Sequence, residues 1–225
     1  MQEINFIDEA VKFFEKLKLN NNREWFHENK DTYQNNVIEP VKIFIELMGM
    51  RLREISPDII YEARVNKSIF RINRDVRFSK DKSPYKTNLG LLFWEGTKPK
   101  MECSGYYFHI DPESFFLGTG FYQFTKETLK RYRETVNNPV KNKELTKIMS
   151  KLEKKGYQFG GKHYKKLPRG FDGEVANPDL LLYNGFYGFF ESKDLNELKK
   201  DPLEYAYSKF KEMHQLHKWL VDNLD

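Results

Sequence analysis

Three short runs rich in aromatic and aliphatic residues, at 89–94, 105–110 and 114–122, follow one another with only turn residues between them. Glu95-Gly96-Thr97 separates the first pair and Asp111-Pro112-Glu113-Ser114 the second. Runs this short, broken by such turn formers, predict strands rather than helices. The close spacing predicts an antiparallel meander, with Asp111–Ser114 as a hairpin turn. Alternation along the second run places Tyr106, Phe108 and Ile110 on one face, with Tyr107 and His109 on the other.

Helical periodicity flanks this meander on both sides. Asn5 is placed as an N-cap for a helix in which Phe6, Ala10, Phe13, Phe14 and Leu17 recur at helical spacing, ending at Asn20-Asn21-Asn22. A second helix is predicted over 24–36, carrying Trp25, Phe26 and Tyr33. Pro40 is placed to open a third, with Val41, Phe44, Ile45, Met48 and Leu52 as its apolar stripe and Ser56-Pro57 at its close. After the meander, 127–136 and 143–155 return to helical composition. A Gly- and Pro-rich loop follows over 156–178, with a short strand near 163–167. A further strand is predicted at 186–191, and Pro202 opens a final helix to Leu224 with Tyr205, Phe210, Met213, Leu216 and Leu220 on its apolar side.

Helices, then antiparallel strands, then helices is the order of an α+β fold: an antiparallel sheet from the central meander, packed by N-terminal and C-terminal helices. The expected organisation is a single domain over 1–225: helical 1–57, sheet-rich 61–122, helical 125–155, loop 156–178, then strand and C-terminal helix 186–224. The 19 Phe and 13 Tyr among 225 residues mean that the core is built from rings more than from aliphatic side chains.

A single Cys excludes an intramolecular disulfide and a Cys-based zinc site. No apolar run approaches the roughly 18 residues of a membrane span, and the acidic N-terminal residues are unlike a signal peptide. The expected setting is cytoplasmic, without membrane association. The formal net charge of +5 is unevenly spread. Residues 126–170 hold 14 basic and 4 acidic side chains, and residues 71–86 hold 6 and 2. A bipolar surface of this kind attracts anionic partners, but the larger, lysine-rich block reads first as a solvated helix face.

The smaller block carries the chemistry. Residues 70–88 read FRINRDVRFSKDKSPYKTN, with Arg71, Arg74 and Arg77 three apart and Asp75, Lys82, Tyr85 and Lys86 close by. The expected course is a strand near Phe70, an irregular turn through 75–82, and a strand after Thr87. Guanidinium forks grip carboxylate or phosphate bidentately, and lysines add mobile point charges. Asp75 is placed to hold a guanidinium, and positive neighbours would lower its pKa. Tyr85 between Lys82 and Lys86 is placed as a proton donor with a lowered phenol pKa. The same residues are equally suited to a structural Arg–Asp network.

This stretch resembles the signature of a family of bacterial and fungal proteins known as domain of unknown function 2461. The resemblance extends to Asn21-Asn22-Arg23-Glu24-Trp25-Phe26 with Asn29-Lys30, to Gly105-Tyr106-Tyr107-Phe108-His109, and to Leu167-Pro168-Arg169-Gly170-Phe171. It implies an α+β fold of this size and no particular activity, substrate or cofactor. Where the family pattern has His-Pro and then a lysine-containing segment, this chain has Asn177-Pro178 and Leu182-Tyr183-Asn184, so no role for a histidine or lysine there is carried over.

Candidate catalytic groups are Tyr85, His109 and His163. His214 and His217 are three apart on the final helix, but only Glu212 or Glu204 is near enough in sequence to add a third ligand. The pair therefore reads as a surface pair beside the core stripe, and no metal or cofactor is expected. Gly118-Thr119-Gly120 lacks the lysine and the setting of a phosphate loop. Three functions remain. The first is a pocket for a small phosphate or carboxylate anion on Arg71, Arg74, Asp75, Arg77, Lys82, Tyr85 and Lys86, an enzyme if a catalytic candidate reaches it. The second is a nucleic-acid-binding module using the 71–86 and 126–170 blocks. The third is a non-enzymatic protein-interaction domain in which the arginines are structural.

Overall fold

A computed structural model describes residues 6–171 and 174–224; the expected cap at Asn5 lies outside the described residues. Helix α1 (Phe6–Leu19) buries Phe6, Ala10, Phe13, Phe14 and Leu17 as the spacing predicts. Asn22 caps α2 (Arg23–Glu28) by accepting the Trp25 N–H at 2.9 Å. The expected helix over 24–36 is instead broken into α2, the single turn α3 (Lys30–Thr32) and a π-helical segment (Tyr33–Ile38) that runs directly into α4 (Glu39–Leu52). Pro40 therefore does not open a separate helix. It sits in the first turn of α4, and the wider π turn before it accommodates a residue with no N–H to donate and a ring that crowds the preceding turn.

Five strands form one antiparallel sheet: β1 (Leu89–Glu95), β2 (Ser104–Ile110), β3 (Phe115–Phe121), β4 (Gln158–Lys162) and β5 (Tyr183–Ser192), in the order β1-β2-β3-β5-β4. The meander is as expected. The strand expected near 163–167 lies earlier, at β4, and the strand at 186–191 is longer at both ends. Between β3 and β4 come α5 (Lys126–Asn137), capped by Thr125, and α6 (Pro139–Glu153). Helix α6 starts ahead of the expected 143 because Asn138 caps the backbone N–H groups of Val140 and Lys141 and Pro139 takes the first helical position. The short α7 (Leu195–Lys199) precedes α8 (Pro202–Leu224).

Register and alternation divide the sheet into two faces. Leu91, Phe108, Leu117 and Phe190 lie side by side across four strands, as do Phe93, Tyr106, Thr119 and Gly188. These face the helices. Phe108 meets Phe6 and Phe44, and α8 crosses behind β3 and β2. The result is an α+β fold. Among the described residues, 20 of the 52 buried hydrophobic side chains are aromatic, so aliphatic residues outnumber rings in the core, contrary to the expectation from composition. Rings are nonetheless the bulkiest fully buried groups. Among the described residues, no helix is long and apolar enough to cross a membrane.

The two histidines of α8 belong to this covered side rather than forming the expected surface pair. His217 is 1% exposed and lies between Ser104 Oγ on Nδ1 and Glu95 Oε2 on Nε2, both at 2.9 Å. His214 Nδ1 meets the Tyr106 hydroxyl at 2.9 Å, and Tyr106 also reaches Ser56 at 3.0 Å. All six of these groups have partners, as buried polar groups must. Ser104–His217–Glu95 has the composition of a hydrolytic triad, but Ser104 is buried under α8, where no substrate reaches it.

Candidate functional site

The opposite face of the sheet is open. Its side chains form a grid: Gly90, His109, Phe116 and Glu191 in one row; Leu92, Tyr107, Gly118 and Phe189 in the next; Trp94, Gly105, Gly120 and Tyr187 in the third. Glycines at these places leave room above the strands, and a cavity of about 490 Å3 lies there. That size suits a small organic ligand. Residues 70–88 and the β1–β2 connection supply one wall, through Phe70, Lys86, Asn88, Lys100 and Cys103.

The wall is cationic. Lys86 and Lys100 both stand over the ring of Phe70, at 5.6 and 4.5 Å from its centroid. Lys100 donates to the carbonyls of Asn66 and Lys67. Among the described residues no carboxylate pairs with Lys86. Burial, and then the charge of Arg71 nearby, hold its pKa below the usual lysine value. Burial, followed by the charges of Lys67 and Lys86, does the same to Lys100.

Beside this wall runs a chain of proton-carrying groups. The Tyr107 hydroxyl lies 3.2 Å from His109 Nδ1, Asn88 Nδ2 lies 3.3 Å from the same nitrogen, and His109 Nε2 faces Asp111 Oδ2 at 3.4 Å. With the Asn88 amide donating to Nδ1, the neutral imidazole carries its proton on Nε2, toward Asp111. Burial pushes the His109 pKa below its ordinary value, with Asp111 opposing the shift. Burial pushes the Tyr107 phenol up to about 12, and the nearby Tyr122 adds to this. Asp111 is itself fixed as the hairpin turn predicts, accepting from the N–H groups of Glu113 and Ser114.

The sequence candidates separate. Lys86 and His109 line the cavity, and Arg71 lies exposed close to Lys86. The others are used elsewhere. Residues 72–86 form the irregular turn as an arm joined at its root by Asn73–Tyr85 pairing. The strand expected after Thr87 is β1, whereas the one expected near Phe70 is reduced to an isolated bridge of Ile69 to Leu91. Within the arm, Arg74 binds Asp81 and the Ser83 carbonyl. Asp75 holds Arg77, at 2.9 and 2.7 Å, not Arg74. Lys82 donates to the Val76 carbonyl at 3.0 Å. Hydrogen bonds from Ser83, with Arg74 adding to them, lower Asp81 to about 2, and the Arg77 bond lowers Asp75. Tyr85 is buried with its ring stacked on Phe26 at 4.2 Å. Asn21 locks it there, exchanging two hydrogen bonds with its backbone at 3.0 and 3.1 Å. His163 is exposed past the end of β4, at the far edge of the sheet, against Tyr164.

Sequence reasoning missed Lys100, Asn88, Asp111 and the tyrosines 107, 122 and 187 as site residues. The available signal was the phase of the glycines: Gly105 shares its face with Tyr107 and His109, and Gly118 and Gly120 share theirs with Phe116. A glycine inside a strand marks close approach of a ligand or another group. A second hollow, between α4, α6 and α8, is more polar, but its Arg51, Glu54, Glu204, Lys155 and Glu212 already pair with one another.

A family model described as Conserved hypothetical protein (DUF2461) matches residues 9–219. No curated protein matches the chain.

Proposed function

From the premise that this chain belongs to the family described as Conserved hypothetical protein (DUF2461), we propose that the open-face cavity binds a small organic anion, a carboxylate or phosphate. The observation that carries this reading is Lys86: a half-buried ammonium on the cavity wall with no carboxylate partner among the described residues, beside Lys100 and Arg71. Partly desolvated like charges are unfavourable together, and a ligand anion relieves both the desolvation and the repulsion. In this reading the arginines of the arm, apart from Arg71, shape the wall rather than touch the ligand.

Tyr107 and His109 give the pocket acid–base capacity. His109 stays neutral at neutral pH, and its Nδ1 is placed to take a proton passed through the Tyr107 hydroxyl while Asp111 steadies Nε2–H. An enzyme acting here would move a proton at a ligand atom near Tyr107.

The nucleic-acid reading is less well supported. Residues 71–86 flank β1, whereas α5 and α6 of the larger basic block pack toward β5 and β4. Four strand spacings, roughly 19 Å, lie between the two sheet edges. Calorimetric titration with carboxylates and phosphates tests the proposal: binding by wild type that Lys86→Met removes supports it. Binding that depends on salt and on lysines of α5 and α6 instead would favour nucleic acid.

A further inference from the structure

Resting on the anion-pocket reading, we infer that the ligand is a flat-ring acid, a carboxylate or phosphate borne on a planar aromatic or heteroaromatic system. The floor of the cavity is paved with rings. Rings here lie down across neighbouring glycines instead of standing up from the sheet. A Cβ at Gly90 would come 2.7 Å from the Tyr107 hydroxyl, one at Gly118 2.8 Å from the Phe116 ring, and one at Gly160 2.3 Å from the Tyr187 ring. Each ring thus occupies the space its glycine leaves and turns a broad surface to the cavity.

Two features extend this surface. Gly105 and Gly120 are register partners, so beside Tyr107 the floor is bare backbone on two adjacent strands. Tyr122, 70% exposed, stands nearly parallel to Tyr187, with centroids 6.0 Å apart and planes 28° apart, and raises an aromatic wall opposite the cations. Lys86 flanks β1 and Tyr187 lies on β5, three strand spacings or about 14 Å away. With the Lys86 and Tyr187 side chains reaching inward from the two sides, a fused bicyclic acid fits the gap that remains, its anion at Lys86 and its ring between Tyr107 and Tyr122. A flexible aliphatic acid satisfies the charge but cannot use the ring faces, and it loses chain entropy on binding.

The test is calorimetric titration with 2-naphthoate, indole-3-carboxylate and octanoate, which share one negative charge, on wild type, Lys86→Met and Tyr122→Leu. Tyr122 is exposed, so its replacement leaves the fold intact. The aromatic acids should bind wild type at least about tenfold tighter than octanoate, equivalent to about 1.4 kcal/mol. Tyr122→Leu should erase that preference while leaving octanoate unchanged, and Lys86→Met should weaken all three. If octanoate binds as tightly as the ring acids and still depends on Lys86, the flat-ring assignment is overturned and the pocket reading stands. If none of the three binds, or if binding ignores both substitutions, the flat-ring assignment falls; total absence of Lys86-dependent binding across these and simple phosphates removes the pocket reading as well.

Discussion

The hydroxyl of Tyr107 lies over the backbone of Gly90, so close that a Cβ on Gly90 would stand 2.7 Å from it. One strand's missing side chain thereby seats the neighbouring strand's ring against His109. The same economy sets the depth of the cavity, because a ring that lies flat leaves empty the volume that an upright one would fill.

Gly90→Ala should displace Tyr107 and lengthen its contact with His109, at a cost of about 1 kcal/mol, since the obstructing atom is the end of a side chain that can swing. Gly105→Ala should cost more, about 2–3 kcal/mol. Its Cβ would meet the Phe93 carbonyl at 2.4 Å, and backbone cannot move aside without parting β1 from β2. Urea denaturation of the two variants gives the comparison; equal costs would contradict it.

Asn21 ties the arm to the helices by two hydrogen bonds to the Tyr85 backbone. Asn21→Ala should lower stability by about 1–2 kcal/mol and raise amide exchange at Tyr85 and Lys86 first. Unchanged exchange there would mean that the Phe26–Tyr85 stack alone holds the root.

Arg74 is committed to Asp81 and Ser83 within its own arm, and that arm carries Phe78, 96% exposed, near its tip. Arg74→Ala should leave global stability within about 1 kcal/mol, as for other partly exposed ion pairs. It should speed proteolysis between residues 74 and 83 and leave ligand affinity in the cavity unchanged. Abolished binding with an intact arm would return the site to the arginine motif.

Acidification should destabilise the protein in two stages. His109 and His214 both have pKa values lowered first by burial. A group that is harder to protonate when folded takes up a proton on unfolding, so stability falls as pH drops below the ordinary histidine value of 6.5. Glu95 is held low chiefly by its hydrogen bond from His217, so its contribution is present at neutral pH and is lost as pH falls below 4.5. Thermal melts across pH 4 to 8 should show Tm flat above about 7 and falling below it, with His109→Asn removing part of the first decline. A Tm that rises on acidification would contradict the burial of these rings.

The meander, its faces and the final helix were legible because period-2 and period-3.6 patterns record burial directly. The break at residues 29–39 was not, since a π turn leaves apolar spacing almost unchanged while altering the hydrogen bonds. At the site, Lys86 and His109 were legible as chemistry-bearing residues, but their setting was not. The guanidinium donors of Arg74 are taken up by Asp81 only because the arm folds back on itself, while Arg77 is held locally by Asp75 two residues before it. Lys100 reaches the ring of Phe70 from a separate connection, thirty residues along the chain. The floor emerges only when Gly105 and Gly120 are set side by side by register.

The most direct test compares thermal stabilisation of wild type and Lys86→Met by small carboxylates and phosphates. A ligand of the cavity, at a hundredfold excess over its Kd, should stabilise wild type by about 2.7 kcal/mol, and Lys86→Met should lose most of that shift while keeping its ligand-free Tm within a few degrees. A shift that survives Lys86→Met unchanged would contradict the assignment of the open-face cavity as an anion site.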